Sequence, residues 1–165
     1  LGLLEEHKFK KFYEDIETRR VDIQELYAFP KAIQPIHASS FIGGSLYEAE
    51  DQMNNDELKL AGRFSGMNNV RWWHRIIERK GFCLNGPFNH YPDFVLMTAN
   101  GTVVVVETKG EQLKNDDSRR KLKLGLTWAH RSGNRFRYYM VFQDGVTPLE
   151  GAVTVSEFLR ILEKL

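Results

Sequence analysis

Two β-rich runs, Phe94-Val95-Leu96-Met97-Thr98 and Thr102-Val103-Val104-Val105-Val106, flank Ala99-Asn100-Gly101. Asn-Gly between such runs is a strong short-range signal for a hairpin. The length of the loop then decides which side chains share a face. A two-residue Asn100-Gly101 loop sets Ala99 opposite Thr102 and puts Asp93 and Glu107 on opposite faces. A three-residue loop, with Gly101 in the left-handed conformation of a bulged type I turn, pairs Thr98 with Thr102, Met97 with Val103, Val95 with Val105 and Asp93 with Glu107. Asp93, Glu107 and Lys109 then lie on one face. Directly opposed residues are about 4.5 to 5.5 Å apart at Cβ, so two carboxylates there repel unless a cation lies between them or one is protonated. The second register, with a metal, is the expected one.

A blander reading stands beside it. Asp93 can be a solvated residue at a strand start, and Glu107 with Lys109 a surface ion pair at alternate positions. Four consecutive valines before Glu107 instead describe a strand buried on both faces. Charged residues emerging from its end are placed as a site on a rigid element would place them.

Pro92-Asp93 followed by Glu107-Thr108-Lys109 at the end of a hydrophobic strand resembles the PD-(D/E)XK nuclease signature. Asn69-Val70-Arg71-Trp72-Trp73-His74-Arg75, Gly81-Phe82, Tyr91-Pro92-Asp93-Phe94, Glu107-Thr108-Lys109-Gly110 and Lys121-Leu122-Lys123-Leu124-Gly125 narrow it. In this order they resemble the nuclease domain at the C-terminal end of type III restriction enzyme Res subunits. The likeness covers roughly Gly43 to Asp144 and leaves the first forty residues unmatched.

The resemblance implies an α/β, restriction-endonuclease-like fold with a mixed central sheet flanked by helices, and Mg²⁺-dependent cleavage of double-stranded DNA. Mn²⁺ is the expected substitute. It also implies a helicase-like motor domain in the same full-length chain and a methylation subunit that reads the target. Asp93 and Glu107 supply hard oxygen ligands, the Thr108 carbonyl a third, and Lys109 orients water or stabilises charge in the transition state. A helix-borne acid completes the family's set. Glu57 is the expected one, with Glu48 and Glu78 behind it; equally, Glu57 is the third residue of a capping box on Asn54. Lys121 is the auxiliary residue that the family places on a following helix. A repair or structure-selective nuclease of the same superfamily and a silent DNA-binding module are the alternatives.

The length suits one globular domain, read as an N-terminal helical or linker segment over residues 1–42 and a core over residues 43–165. The start at Leu1 without methionine reads as a fragment of a larger protein. A net charge of +1 excludes a strongly cationic nucleic-acid coat, so local patches must steer DNA. Arg119, Arg120, Lys121 and Lys123 form one patch, and Arg71 and Arg75 a second. A single cysteine, Cys83, excludes an internal disulfide framework and makes a reducing cytoplasm the default. No apolar run is long enough to span a bilayer.

Periodicity predicts the remaining elements. Phe9, Phe12, Tyr13 and Ile16 predict a helix through about Arg19. Val21 to Phe29 fits a short helix or a strand, and Ser45 to Met53 can be helical. Leu58, Ala61 and Phe64 follow an Asn54 cap, and Val70, Trp73 and Ile77 predict a helix from Val70 to Lys80 that Gly81 ends in the left-handed conformation. Phe82 to Leu84 reads as a short strand before an Asn85-Gly86-Pro87 turn. A helix from about Ser118 buries Leu122, Leu126 and Ala129. Phe136, Tyr138, Met140 and Phe142 predict a strand, and a Thr154/Glu157 capping box opens the last helix.

Overall fold

The computed structural model describes residues 2–24, 28–39 and 41–165. At its centre are β4 (Phe94–Thr98) and β5 (Val103–Lys109), antiparallel, with Val95 opposite Val105 and Met97 opposite Val103. This is the three-residue register. Gly101 has φ +86°, its amide donates to the Thr98 carbonyl, and the Thr98 amide donates to the Thr102 carbonyl. Asn100 Oδ1 accepts from the amide and hydroxyl of Thr102 and from the Thr98 hydroxyl. The asparagine thus closes the loop with its side chain.

Around this hairpin a five-stranded mixed sheet forms in the order β1 (Val70–Arg75), β4, β5, β6 (Phe136–Phe142), β7 (Val153–Thr154). β1 pairs antiparallel with β4 and β4 with β5, whereas the β5–β6 and β6–β7 pairs are parallel. The fold is α/β with helices on both faces. On one face α2 (Asn55–Ser65) and α4 (Val155–Leu162) bury Leu60, Phe64, Phe158 and Leu162 against Phe94, Leu96, Val104 and Val106. On the other, α3 (Asp116–Ser132) covers Val95, Val103, Val105, Tyr138 and Met140 with Leu122, Leu124 and Trp128. All four valines of β5 are buried, because each face carries a helix layer.

Both capping boxes form: Asn54 with Glu57 opens α2, and Thr154 with Glu157 opens α4. The first helix, α1 (Leu3–Glu17), lies where the sequence places it. A small hairpin of β2 (Leu84–Asn85) and β3 (Asn89–His90) surrounds the Gly86-Pro87 turn.

The expected helix from Val70 to Lys80 is not there. Residues 70–75 form β1, and residues 76–80 are irregular. Val70, Trp73 and Ile77 do fall at helical spacing, but the aromatic run also alternates: Trp73 packs toward α2, while Trp72 packs on the α3 side. The open edge of β4 decides between the two periods. The left-handed residue that follows is Arg79, φ 62°, not Gly81. Ser45 to Met53 is not helical either; Ser45 bridges Trp73 and covers the outer edge of β1. On α3, Leu126 is exposed, and Gly125 takes its expected place inside. Of Val21 to Phe29, residues 21–24 and 28–29 are neither helix nor strand, and residues 25–27 lie outside the described residues. No described helix is long and apolar enough to cross a membrane.

Candidate active site

The charged cluster gathers where β4 begins and β5 ends. β5 is buried and pairs with β6 in unbroken register, so alternation puts Glu107 and Lys109 on the α3 face and Thr108 on the other. Lys109 Nζ lies 2.6 Å from Glu107 Oε1. Oε2 of the same carboxylate is buried and has no hydrogen-bond partner among the described residues. Burial first, and the charge of Asp93 second, push Glu107 up to about 8, against the opposing pull of Lys109.

Asp93 takes its place differently from the sequence expectation. Ladder pairing ends at Phe94 opposite Val106, one residue short of Asp93 and Glu107. The Asp93 amide donates to the Val106 carbonyl, and Asp93 Oδ2 accepts from both the amide and the hydroxyl of Thr108 at 2.6 Å. The carboxylate is therefore fixed beside β5 by Thr108 rather than standing squarely opposite Glu107. The charges nevertheless sense each other, as the shift on Glu107 records.

From α2 comes Glu57, buried in the first turn. Its Oε2 accepts from the Asn54 amide at 2.9 Å and its Oε1 from Arg75 Nη2 at 3.1 Å. Glu57 thus forms the capping box that was one of its two expected readings, and its other oxygen is taken by Arg75. Burial and the charge of Asp93 raise its pKa, while Arg75 and the Asn54 amide pull it down. Glu48 is exposed, and Glu78 is exposed and paired with Arg79; the structure brings neither to the cluster.

Arg75 is the residue the sequence placed wrongly. Expected on the wet side of a helix, it closes β1 inside the cluster, 3.1 Å from Glu57 and 3.9 Å from Asp93 Oδ1. A second buried network holds it there. Glu50 Oε2 accepts from the Arg75 amide at 3.1 Å and contacts His74 Nδ1 at 2.8 Å, and Glu50 Oε1 accepts from the Ser45 hydroxyl. Glu50 and His74 were not singled out from the sequence; only a strand reading of residues 70–75 points His74 inward. Arg71 stays exposed on β1.

Of the basic patch on α3, Lys121 alone turns to the site. Burial lowers its pKa, but the hydrogen bond with Asp117 and the charges of Glu107, Asp117 and Asp93 outweigh that and raise it overall. Its Nζ lies 3.0 Å from Asp117. Arg119 pairs with Asp116 at 3.2 Å. Arg120 and Lys123 lie over the rings of Phe9 and Tyr13, 5.2 and 4.1 Å from the centroids, and so fasten α1 to α3.

Beneath Lys109 and Lys121, His90 and Tyr138 share a buried hydrogen bond of 2.8 Å. Burial, then the charges of Lys121 and Lys109, push His90 down to about 3, so its ring is neutral. On the other side of Lys109 a cleft of about 510 Å³ opens, lined by Asn54, Asn55, Lys59, Thr108, Lys109 and Gln112.

No group of three or more His, Cys, Asp and Glu among the described residues is assembled as a metal site. The donors nonetheless suit a hard cation: among the described residues, Glu107 has a buried carboxylate oxygen without a donor, and Asp93 Oδ1 has Arg75 at 3.9 Å, too far for a hydrogen bond. Comparison of the chain with protein-family models, curated proteins and solved structures finds no match.

Proposed function

We propose that this chain is a metal-dependent endodeoxyribonuclease domain of the PD-(D/E)XK type, akin to the cleavage module of type III restriction enzymes. The observation that carries the reading is the state of Glu107: buried, with one oxygen on Lys109 and the other without a partner among the described residues, next to an Asp93 carboxylate held by Thr108. A buried acid with an unfilled oxygen is costly, and a bound cation removes that cost.

Asp93, Glu107 and the Thr108 carbonyl would hold Mg²⁺ or Mn²⁺. Such an ion polarises a phosphate oxygen and makes a bound water acidic. Lys109, on the same face as Glu107, donates to the water or to the phosphate oxygens as negative charge builds on them. Lys121 adds a second cation from α3, with a raised pKa that keeps it charged. Thr108 fixes the carboxylate of Asp93 through two hydrogen bonds. The cleft beside Lys109 gives a DNA strand a way in. In the reaction, the water oxygen bonds to phosphorus, the bond from phosphorus to the leaving sugar oxygen breaks, and that oxygen takes a proton.

In this reading double-stranded DNA is the substrate, a motor domain in the same full-length chain brings it, and a methylation subunit selects the sequence. Nicking of supercoiled plasmid with Mg²⁺ or Mn²⁺ tests it, beside Glu107→Ala and an EDTA control. Metal-dependent nicking that Glu107→Ala abolishes is expected. Nicking that survives EDTA or the substitution refutes the site. A chain that binds DNA and metal but does not cut even with motor and partner subunit restored is a binding module instead.

A further inference from the structure

The charge of Asp93 acts on both Glu57 and Glu107, and two of the chain's own cations already pair with these acids, Arg75 with Glu57 and Asp93, and Lys109 with Glu107. Both oxygens of Glu57 are used. One accepts from the cap amide of α2 and the other from Arg75. The arginine in turn is not a loose surface side chain. Its amide is bonded to the buried Glu50, its Nη1 donates to the Ile76 carbonyl, and its side chain is only 20 % exposed. Its Nη2 is 3.1 Å from Glu57 Oε1 and 3.9 Å from Asp93 Oδ1, so a positive charge already serves the two acids that a further ion would need.

We infer that Arg75 is the built-in second cation of this site, so that the site takes one divalent ion, at Asp93 and Glu107, while Glu57 serves the arginine. The inference rests on the nuclease reading above. A guanidinium is charged at every working pH and presents a fixed fork of donors to carboxylates. A second dication at the same acids would meet that charge directly, with little water between them to screen it. The buried Glu50–His74 pair fixes the backbone of β1 where the arginine leaves it, and so acts as a positioning device for a charge.

Mn²⁺ titration of the chain without DNA, followed by calorimetry and by the spin-resonance signal of free Mn²⁺, tests this without reading activity. The wild-type chain is expected to take one ion per chain. Arg75→Met is expected to take a second, weaker ion, Arg75→Lys to return to one, and Arg75→Met with Glu57→Gln to lose the second ion again. Two ions in the wild type, or one ion in a folded Arg75→Met, overturn the inference and leave the nuclease reading standing. If Arg75→Met does not fold, Glu57→Gln decides: one ion retained supports the assignment, and no ion makes Glu57 a ligand and overturns it. A wild-type chain that takes no ion refutes the metal-dependent nuclease reading, and the inference with it.

Discussion

Lys109 Nζ stands 2.6 Å from Oε1 of Glu107, while Oε2 of that carboxylate is buried without a hydrogen-bond partner among the described residues. The lysine meets half of the acid's demand; in the proposed reading a cation meets the other half. Lys109→Ala is therefore expected to lower nicking about 10²- to 10³-fold, the usual loss when one electrostatic donor to a developing charge is removed. Binding of Mn²⁺ should persist. The same variant should melt at lower temperature in EDTA, because Glu107 loses its hydrogen-bond donor Lys109, and recover in part with Mn²⁺. Loss of Mn²⁺ binding in this variant would contradict the role given to Lys109.

Thr108 tests whether Asp93 must be held. Its amide and hydroxyl both reach Asp93 Oδ2 at 2.6 Å, and Thr108→Val keeps the amide and the shape but removes the hydroxyl. Affinity for Mn²⁺ should fall about 10- to 100-fold, as when an outer partner of a metal ligand is removed. Calorimetry showing unchanged affinity would make the hydroxyl incidental.

His90 predicts the acid behaviour of the fold. Its pKa is pushed down to about 3 by burial and then by Lys121 and Lys109, against about 6.5 in an unfolded chain. Between those values the unfolded chain binds the extra proton, so stability falls as pH drops through this window. The Glu107 contribution runs the other way. Raised to about 8, it is greatest below the ordinary carboxylate pKa and is lost as pH climbs toward 8. Comparing His90→Gln with wild type separates the two. In urea unfolding at pH 7 and pH 4.5, wild type should lose about 2–3 kcal/mol more than the variant between the two pH values. Equal losses would mean that His90 is protonated in the folded chain.

Gly125 tests the packing of α3 on the sheet. A Cβ there would come within 2.4 Å of the Tyr138 ring, and that ring, 3 % exposed, is held by His90. Alanine gains about 1 kcal/mol of helix propensity over glycine, yet overpacking of this kind costs about 1–3 kcal/mol. The clash should win, and Gly125→Ala should unfold at lower urea than wild type. A variant more stable than wild type would show that α3 can lift from Tyr138 at little cost.

The amino-acid sequence by itself determined the centre of this protein. Asn100-Gly101 marked the hairpin and narrowed its loop to two lengths, and the four valines made β5 a strand covered on both sides. The two capping boxes and the alternation of residues 136–142 were equally legible, because each depends on neighbours a few residues apart. Glu107 and Lys109 follow from β5 alone, being two residues apart on one strand. Three matters belonged to the tertiary structure. Residues 70–77 carry helical and strand periods at once, and only the free edge of β4 selects the strand. That selection turns Arg75 from a solvent-facing residue into a cation among acids. It also brings Glu50 and His74, 24 residues apart, into one buried pair. Asp93 stops pairing one residue early because Thr108 offers it two donors, and Arg120 and Lys123 also contact α1 because Phe9 and Tyr13 lie across from them. Local patterns fix hydrogen bonds and periods along the chain. Which charges meet depends on contacts between segments distant in sequence, and those exist only once the sheet has formed.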